Sequence, residues 1–468
     1  MAFLIGGANS AADTAYEVAN SCRFNRPDSA YLNFSQGNGN RKDFTWSGWI
    51  KRSSSGLLQL IWHCNNAGHY SWLGFDSSDR LQYYSVDGST VQGSFVSTQV
   101  FRDQSAWYHI VARFEMSNAT EDNRIRFYVN GSEITVWTTK ASIPSQNTDL
   151  EMNVSGHTFR IGTYANSSDF VGMYMSEISF CDGQSYAPTS FGEFDEDSPT
   201  IWKPKDISGL TFGTNGFWLD FEDSSALGND VSGENNDFTP ANLAAADQAT
   251  DTPTNNFCTM NPLANYFPAS TFSEGNCKIV TGSSAYTYNI GTFGLTSGKW
   301  YWEVKYTAAD GDPHNVGHFG ISGKGDPIAN SHPLGYYSTD YGIHAESGGT
   351  ITNNNSGTTN SLYNVAIGNI LGFGLDLDSG TYTLKFLVNG TDKIDTNISS
   401  SPENGAYFPA FGFTYSAGTG TFEANFGGCS AFTVSSANQD ANGYGNFEYA
   451  VPSGYLALCT KNLGSDGG

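Results

Sequence analysis

Three acids alternate at Glu193, Asp195 and Asp197. On a strand, alternate residues project to one side, so the run could aim two carboxylates into one cleft. Two carboxylates about 5–5.5 Å apart are what a retaining glycosidase uses, one as nucleophile and one as acid. Ser190-Phe-Gly before the run and Asp-Ser-Pro after it read as loop, so a solvated acidic loop is the plainer reading. Four histidines stand in two pairs, His63 with His69 and His314 with His318. A four-residue spacing suits a metal on a helix, but Gly317 and the aromatic context indicate strand or loop. No Gly-x-Ser-x-Gly elbow and no Gly-x-x-x-x-Gly-Lys phosphate loop is present. Nothing local therefore marks a nucleophile, and binding is the better expectation.

For binding, loop aromatics are the natural suspects. Tyr and Trp present a rigid apolar face with a polar tip, which suits sugar rings and protein hot spots alike. Trp62, Tyr70 and Trp72, and later Tyr336, Tyr337 and Tyr341, sit beside Gly, Asn or Ser. Alternate ones can simply be core, which is the plainer reading for Trp62 and Trp72. Tyr70, Trp72, Tyr336, Tyr337 and Tyr341 stand as the candidate ligand contacts.

The elements that would carry these residues are strands. The chain has 468 residues, 14 % of them aromatic and 53 of them Gly. That length predicts two domains, and that mixture suits strands joined by tight turns. Trp107-Tyr-His-Ile-Val-Ala-Arg-Phe114 is apolar on both faces, as a central strand would be. In Arg124–Gly131, Ile125, Phe127 and Val129 point one way, and Asn130-Gly131 supplies a two-residue turn. Thr381–Gly390 repeats the device with Asn389-Gly390. Trp300, Trp302, Val304 and Tyr306 share a face. No helix has convincing caps and periodicity.

The expected fold class is all-β: two tandem antiparallel β-sandwiches of jelly-roll type behind a short N-terminal arm. The expected boundaries are an arm at 1–20, a first sandwich at 21–238, a connector at 239–262, a second sandwich at 263–463 and a tail at 464–468. The formal net charge of -24 repels nucleic acid and an acidic membrane surface, so no nucleic-acid partner is expected. No stretch is long enough to span a bilayer, and no membrane insertion is expected. Seven cysteines, an odd number without metal-knuckle spacing, predict free buried thiols of a protein folded in a reducing cytoplasm. The start, Met-Ala-Phe-Leu-Ile-Gly-Gly, lacks the basic region of a secretory signal.

Phe44–Lys51, Trp107–Phe114, Ile125–Gly131 and Met175–Asp182 resemble the laminin G-like modules of the concanavalin A-like superfamily. Gly298–Lys305, Gly317–Ser322, Gly368–Asp378, Lys385–Asn389 and Tyr407–Phe413 resemble a SPRY domain, a binding sandwich. The pairing resembles a group of marine bacteriophage structural proteins. It does so through Phe191-Gly-Glu-Phe-Asp-Glu, Ala226–Gly233, Asp251–Phe257 and Pro452–Thr460. The laminin G-like resemblance implies calcium on loop oxygens; Asp76, Asp79 and Asp87 are the candidate ligands, with plain turn residues as the simpler reading. No other cofactor is required. The phage resemblance implies a virion protein assembled in the host cytoplasm and displayed on the particle surface. The leading expectation is a tail-fibre or adhesin subunit, trimeric, docked to other virion proteins through residues 1–20 and binding host surface carbohydrate or protein. A capsid decoration or head-fibre protein is the alternative, and a polysaccharide depolymerase resting on Glu193 is the third.

Overall fold

The computed structural model describes residues 4–5, 16–165, 169–196, 198–265, 269–282, 286–309, 317–325, 332–345, 350–359, 365–413 and 418–466. His314 and Asp197 lie outside the described residues. The chain forms two units: Ala12–Thr254 is the first, and Asn255–Gly468 together with the N-terminal Met1–Ala11 is the second.

The first unit is a sandwich of two eight-stranded sheets. In one sheet, Trp107–Glu115 lies between Ile125–Val129 and Asp43–Arg52, which in turn pairs with Met173–Asp182. The other sheet runs in the order Trp137–Ala141, Thr90–Val100, Arg80–Asp87, His69–Phe75, Gln59–Asn66, Thr158–Ile161, Tyr31–Ser35, Thr239–Ala241. All its pairs are antiparallel. Between the sheets Trp46, Trp62, Tyr83, Phe114, Phe127 and Phe159 form a fully buried aromatic core. The second unit pairs an eight-stranded and a six-stranded sheet over Trp300, Trp302, Val304, Tyr306, Phe373 and Phe422. The architecture is nearly all-β, as the composition and alternation predict.

Both Asn-Gly hairpins form as read. Asn130 and Gly131 adopt φ of 46° and 75°, Asn389 and Gly390 φ of 49° and 71°. These left-handed angles let a two-residue turn follow the twist of its strands. Ile125, Phe127 and Val129 all face the core.

Three expectations are corrected. Residues 239–254 are not a free connector: Thr239–Ala241 and Gln248–Ala249 each complete a sheet. Asp251 beyond them holds Lys51 Nζ at 2.6 Å and Trp107 Nε1 at 3.0 Å. Strands of two or three residues are too short to show a period, and side-chain bonds fix them instead. Nor is all of 1–20 a free arm. The Tyr16 hydroxyl donates to Glu177, the Val18 amide donates to Thr254, and Leu4–Ile5 pairs in parallel with Phe293–Gly294. Lastly, Thr460–Asp466 is a seven-residue helix that extends into the expected tail. It is too short for periodicity to reveal.

Candidate functional site

Strand register gathers the candidate site on the outward face of the second sheet of the first unit. Ser71 and Leu73, like Leu81, Tyr83 and Ser85, are turned inward and buried. Alternation then turns Tyr70, Trp72 and Tyr84 outward. Pairing aligns Asn33, Arg160, His63, Trp72, Tyr84 and Ser94 in one row across six neighbouring strands. Asn65 and Tyr70 are opposite each other in the next row. The Trp72 and Tyr84 rings lie 6.1 Å apart, Tyr70 and Tyr84 6.2 Å, and His63 and Tyr164 4.6 Å. Tyr164 is 37 % exposed and forms the rim.

The polar groups of the face are fixed. An Arg160 Nη donates to Asn65 Oδ1, and Asn33 Nδ2 donates to the Thr239 carbonyl. Burial, then the Arg160 charge, pushes the His63 imidazole down to about 3, so it is neutral at pH 7. Its Nδ1 accepts from the Ala165 amide at 3.4 Å, which leaves the ring proton on Nε2, a buried atom without a hydrogen-bond partner. Flat rings beside a guanidinium and amides suit a ligand with apolar C–H faces and hydroxyl edges. Of the sequence candidates, Tyr70 falls on this face partly exposed, whereas Trp72 is only 9 % exposed, in keeping with the plainer core reading. Tyr84, Arg160 and Asn33 were not singled out in the sequence; the parity of Tyr83 against Tyr84 was the available signal.

The other candidates separate. Asp76 accepts from Arg80 Nε at 2.8 Å and from the Ser78 amide at 2.9 Å. Asp79 is buried, with Arg52 Nη2 at 2.9 Å, Arg102 Nε at 3.0 Å and the Gly56 amide at 2.7 Å. Asp87 stands at the far end of Arg80–Asp87, beside His69. The three aspartates therefore form no common calcium site, and arginines hold the first two. Glu193 lies exposed on the short strand Gly192–Phe194 of a two-stranded ribbon. Lys203 Nζ sits 3.8 Å from Glu193 and 3.3 Å from Asp195, which is buried. Lys203 thus stands between the two carboxylates and ties them into the ribbon. His318 is buried in the second core, where its Nδ1 lies 3.1 Å from the Leu334 carbonyl.

In the second unit, Tyr336 and Tyr337 lie in a turn, not a strand. The Tyr336 ring stacks on His332 at 3.7 Å, and Lys324 Nζ lies 5.2 Å from the Tyr337 ring. Tyr341 is only 7 % exposed and packs in the core. Its hydroxyl accepts from the Ser399 amide at 2.8 Å. It also lines a cleft of about 480 Å³ with Ile351, Asn353 and Ile394.

One serine–histidine pair was not visible in the sequence: Ser47 Oγ lies 2.8 Å from His109 Nε2. Trp202 Nε1 donates to His109 Nδ1 at 2.9 Å, and indole can only donate. The ring proton is therefore on Nε2, which donates to Ser47. Burial pushes this imidazole down to about 3. It donates a hydrogen bond to the serine oxygen and has no free nitrogen lone pair facing it to take the serine proton, so the pair is structural.

Residues 26–180 match the family model described as the concanavalin A-like lectin/glucanases superfamily, and residues 299–428 match that of the SPRY domain. No curated protein matches the chain. Similar solved structures include the SPRY domain of human HERC1, at 18 % identity and a TM-score of 0.29, covering 37 % of this chain and 99 % of that one. Domains LG4-5 of mouse laminin alpha1 align at 11 % identity and a TM-score of 0.30, covering 95 % of this chain and 100 % of that one. A heptameric SAP-like pentraxin from Limulus polyphemus aligns at 16 % and 0.27, covering 37 % and 80 %. The chain thus carries a laminin G-type domain of the concanavalin A-like superfamily followed by a SPRY domain.

Proposed function

We propose that this is a binding protein for surface carbohydrate, which takes its ligand on the aromatic face of the first sandwich. The row Arg160–His63–Trp72–Tyr84, flanked by Tyr70 and Tyr164, is the observation that carries the reading. Sugar rings lie on Tyr84 and Tyr70, and their hydroxyls meet Arg160, Asn65 and Asn33. The protein works by binding, without turnover. Motif resemblance along residues 191–257 and 452–460 supports a place on a bacteriophage particle, as a tail-fibre or adhesin subunit. Several copies, three by analogy with fibres, would multiply weak sugar contacts.

The test is a glycan array with the full chain and with Tyr70→Ala and Tyr84→Ala. Both side chains are partly exposed, so folding survives by circular dichroism. Each variant should weaken binding about 10-fold or more, in keeping with stacking rings at a hot spot. Array binding that both variants retain would move the site off this face. Immunogold labelling of particles with antibody to residues 298–463 then separates a tail position from a capsid one.

A further inference from the structure

At one end of the same sheet, two imidazoles and two carboxylates converge outside the aromatic row. His69 opens the strand after the Asn66–Gly68 turn, and Asp87 closes the next strand beside it. Glu151 and His157 come from the segment that leads into Thr158–Ile161. His69 Nδ1 lies 2.8 Å from Asp87 Oδ1 and 3.8 Å from Glu151 Oε2. His157 Nε2 lies 3.9 Å from that same Glu151 oxygen. One donor atom each from His69, Asp87 and Glu151 falls within 4.8 Å of the other two.

The separations are informative. The two imidazole–Glu151 distances exceed hydrogen-bond reach. The 2.8 Å and 3.8 Å separations from His69 bracket the spacing of about 3.3 Å expected between ligands of a tetrahedral ion with bonds of roughly 2.0–2.1 Å. The floor of the site is prearranged. Glu151 and His157 side chains are 4 % and 5 % exposed. Arg41 Nη2 holds the other Glu151 oxygen at 2.9 Å, and Cys64 Sγ lies 4.0 Å from His157 Nδ1. Such partners behind the ligating atoms fix ligand orientation in metal sites. The mouth is open: His69 and Asp87 side chains are 43 % and 46 % exposed.

We propose that His69, Asp87 and Glu151 bind one divalent transition-metal ion of the zinc class, with His157 standing beside Glu151. The donor set chooses the ion. Imidazole nitrogen with carboxylate oxygen suits zinc and its neighbours, whereas calcium takes six to eight oxygens. The ion would tie the 142–157 segment to the strand ends beside Tyr70. The site is independent of the carbohydrate reading, because metal binding is measured without glycan.

Isothermal titration of the untagged full chain, stripped with chelator, with zinc chloride is the test. One zinc per chain is expected, with no comparable uptake of calcium chloride. His69→Ala and Asp87→Asn, both at the open mouth, should weaken zinc about 10-fold or more. Zinc K-edge absorption on the unmutated chain should show imidazole nitrogen with carboxylate oxygen among ligands at about 2.0–2.1 Å, a readout that needs no variant to fold. Absence of zinc binding overturns the proposal. So does binding unchanged in both variants, a zinc spectrum without imidazole, or calcium uptake lost in Asp87→Asn but kept in His69→Ala.

Discussion

Glu177 sits where the strand Met173–Asp182 bulges against Asp43–Arg52, with φ of 51° and 7 % exposure. Its carboxyl accepts from Tyr16 at 3.1 Å and Trp218 at 2.9 Å. Burial, helped by the nearby charges of Asp220 and Glu222, pushes it from an ordinary 4.5 up to about 8. Between those values the folded chain keeps a proton that the unfolded chain has lost. This contribution is full below pH 4.5 and is lost as pH rises towards 8. Glu177→Gln removes the ionisation. Urea midpoints at pH 4.5 and pH 8 should show the variant gaining on the unmutated chain at the higher pH. The position was not readable in the sequence: a Glu in Met-Ser-Glu-Ile-Ser looks like any strand residue, and Tyr16 and Trp218, both distant in sequence, are what cover it.

At the scale of elements, hairpins were legible and rows were not. Asn130-Gly131 announces itself because few residues tolerate its backbone angles, a local constraint. Gly131→Ala tests it. A β-carbon there would meet the Trp202 ring at 2.4 Å, on a backbone with φ of 75°. Chemical denaturation should show a loss of more than about 1 kcal/mol. Gly380→Ala, where an added carbon meets nothing within 4 Å, is the control. The aromatic face depends on which residue of five other strands lies opposite Trp72, and register is a long-range property. Alternation fixed sidedness for Tyr70 and Trp72 but could not reveal Arg160 or His63 as their neighbours. The buried Lys51–Asp251 pair was hidden for the same reason, since 200 positions separate its ends.

At the scale of the molecule, the two cores share no residue: one draws on Cys22 to Phe238, the other on Cys258 to Leu463. Each unit therefore has what independent folding requires. Residues 12–254 expressed alone should keep the urea midpoint that they show within the full chain, read by tryptophan fluorescence. The row from Asn33 to Ser94 crosses six strands about 4.8 Å apart, so it extends about 24 Å. Neighbouring strands also rotate by roughly 20–25°, so the row turns through about 100° from end to end. A single sugar covers a small part of such a path. A rigid straight polymer touches the middle and lifts away at both ends. On the proposed carbohydrate reading, the polymer that would follow it throughout is one whose own backbone coils with the hand of the sheet, so helical pitch, as much as sugar identity, would become a criterion of selection.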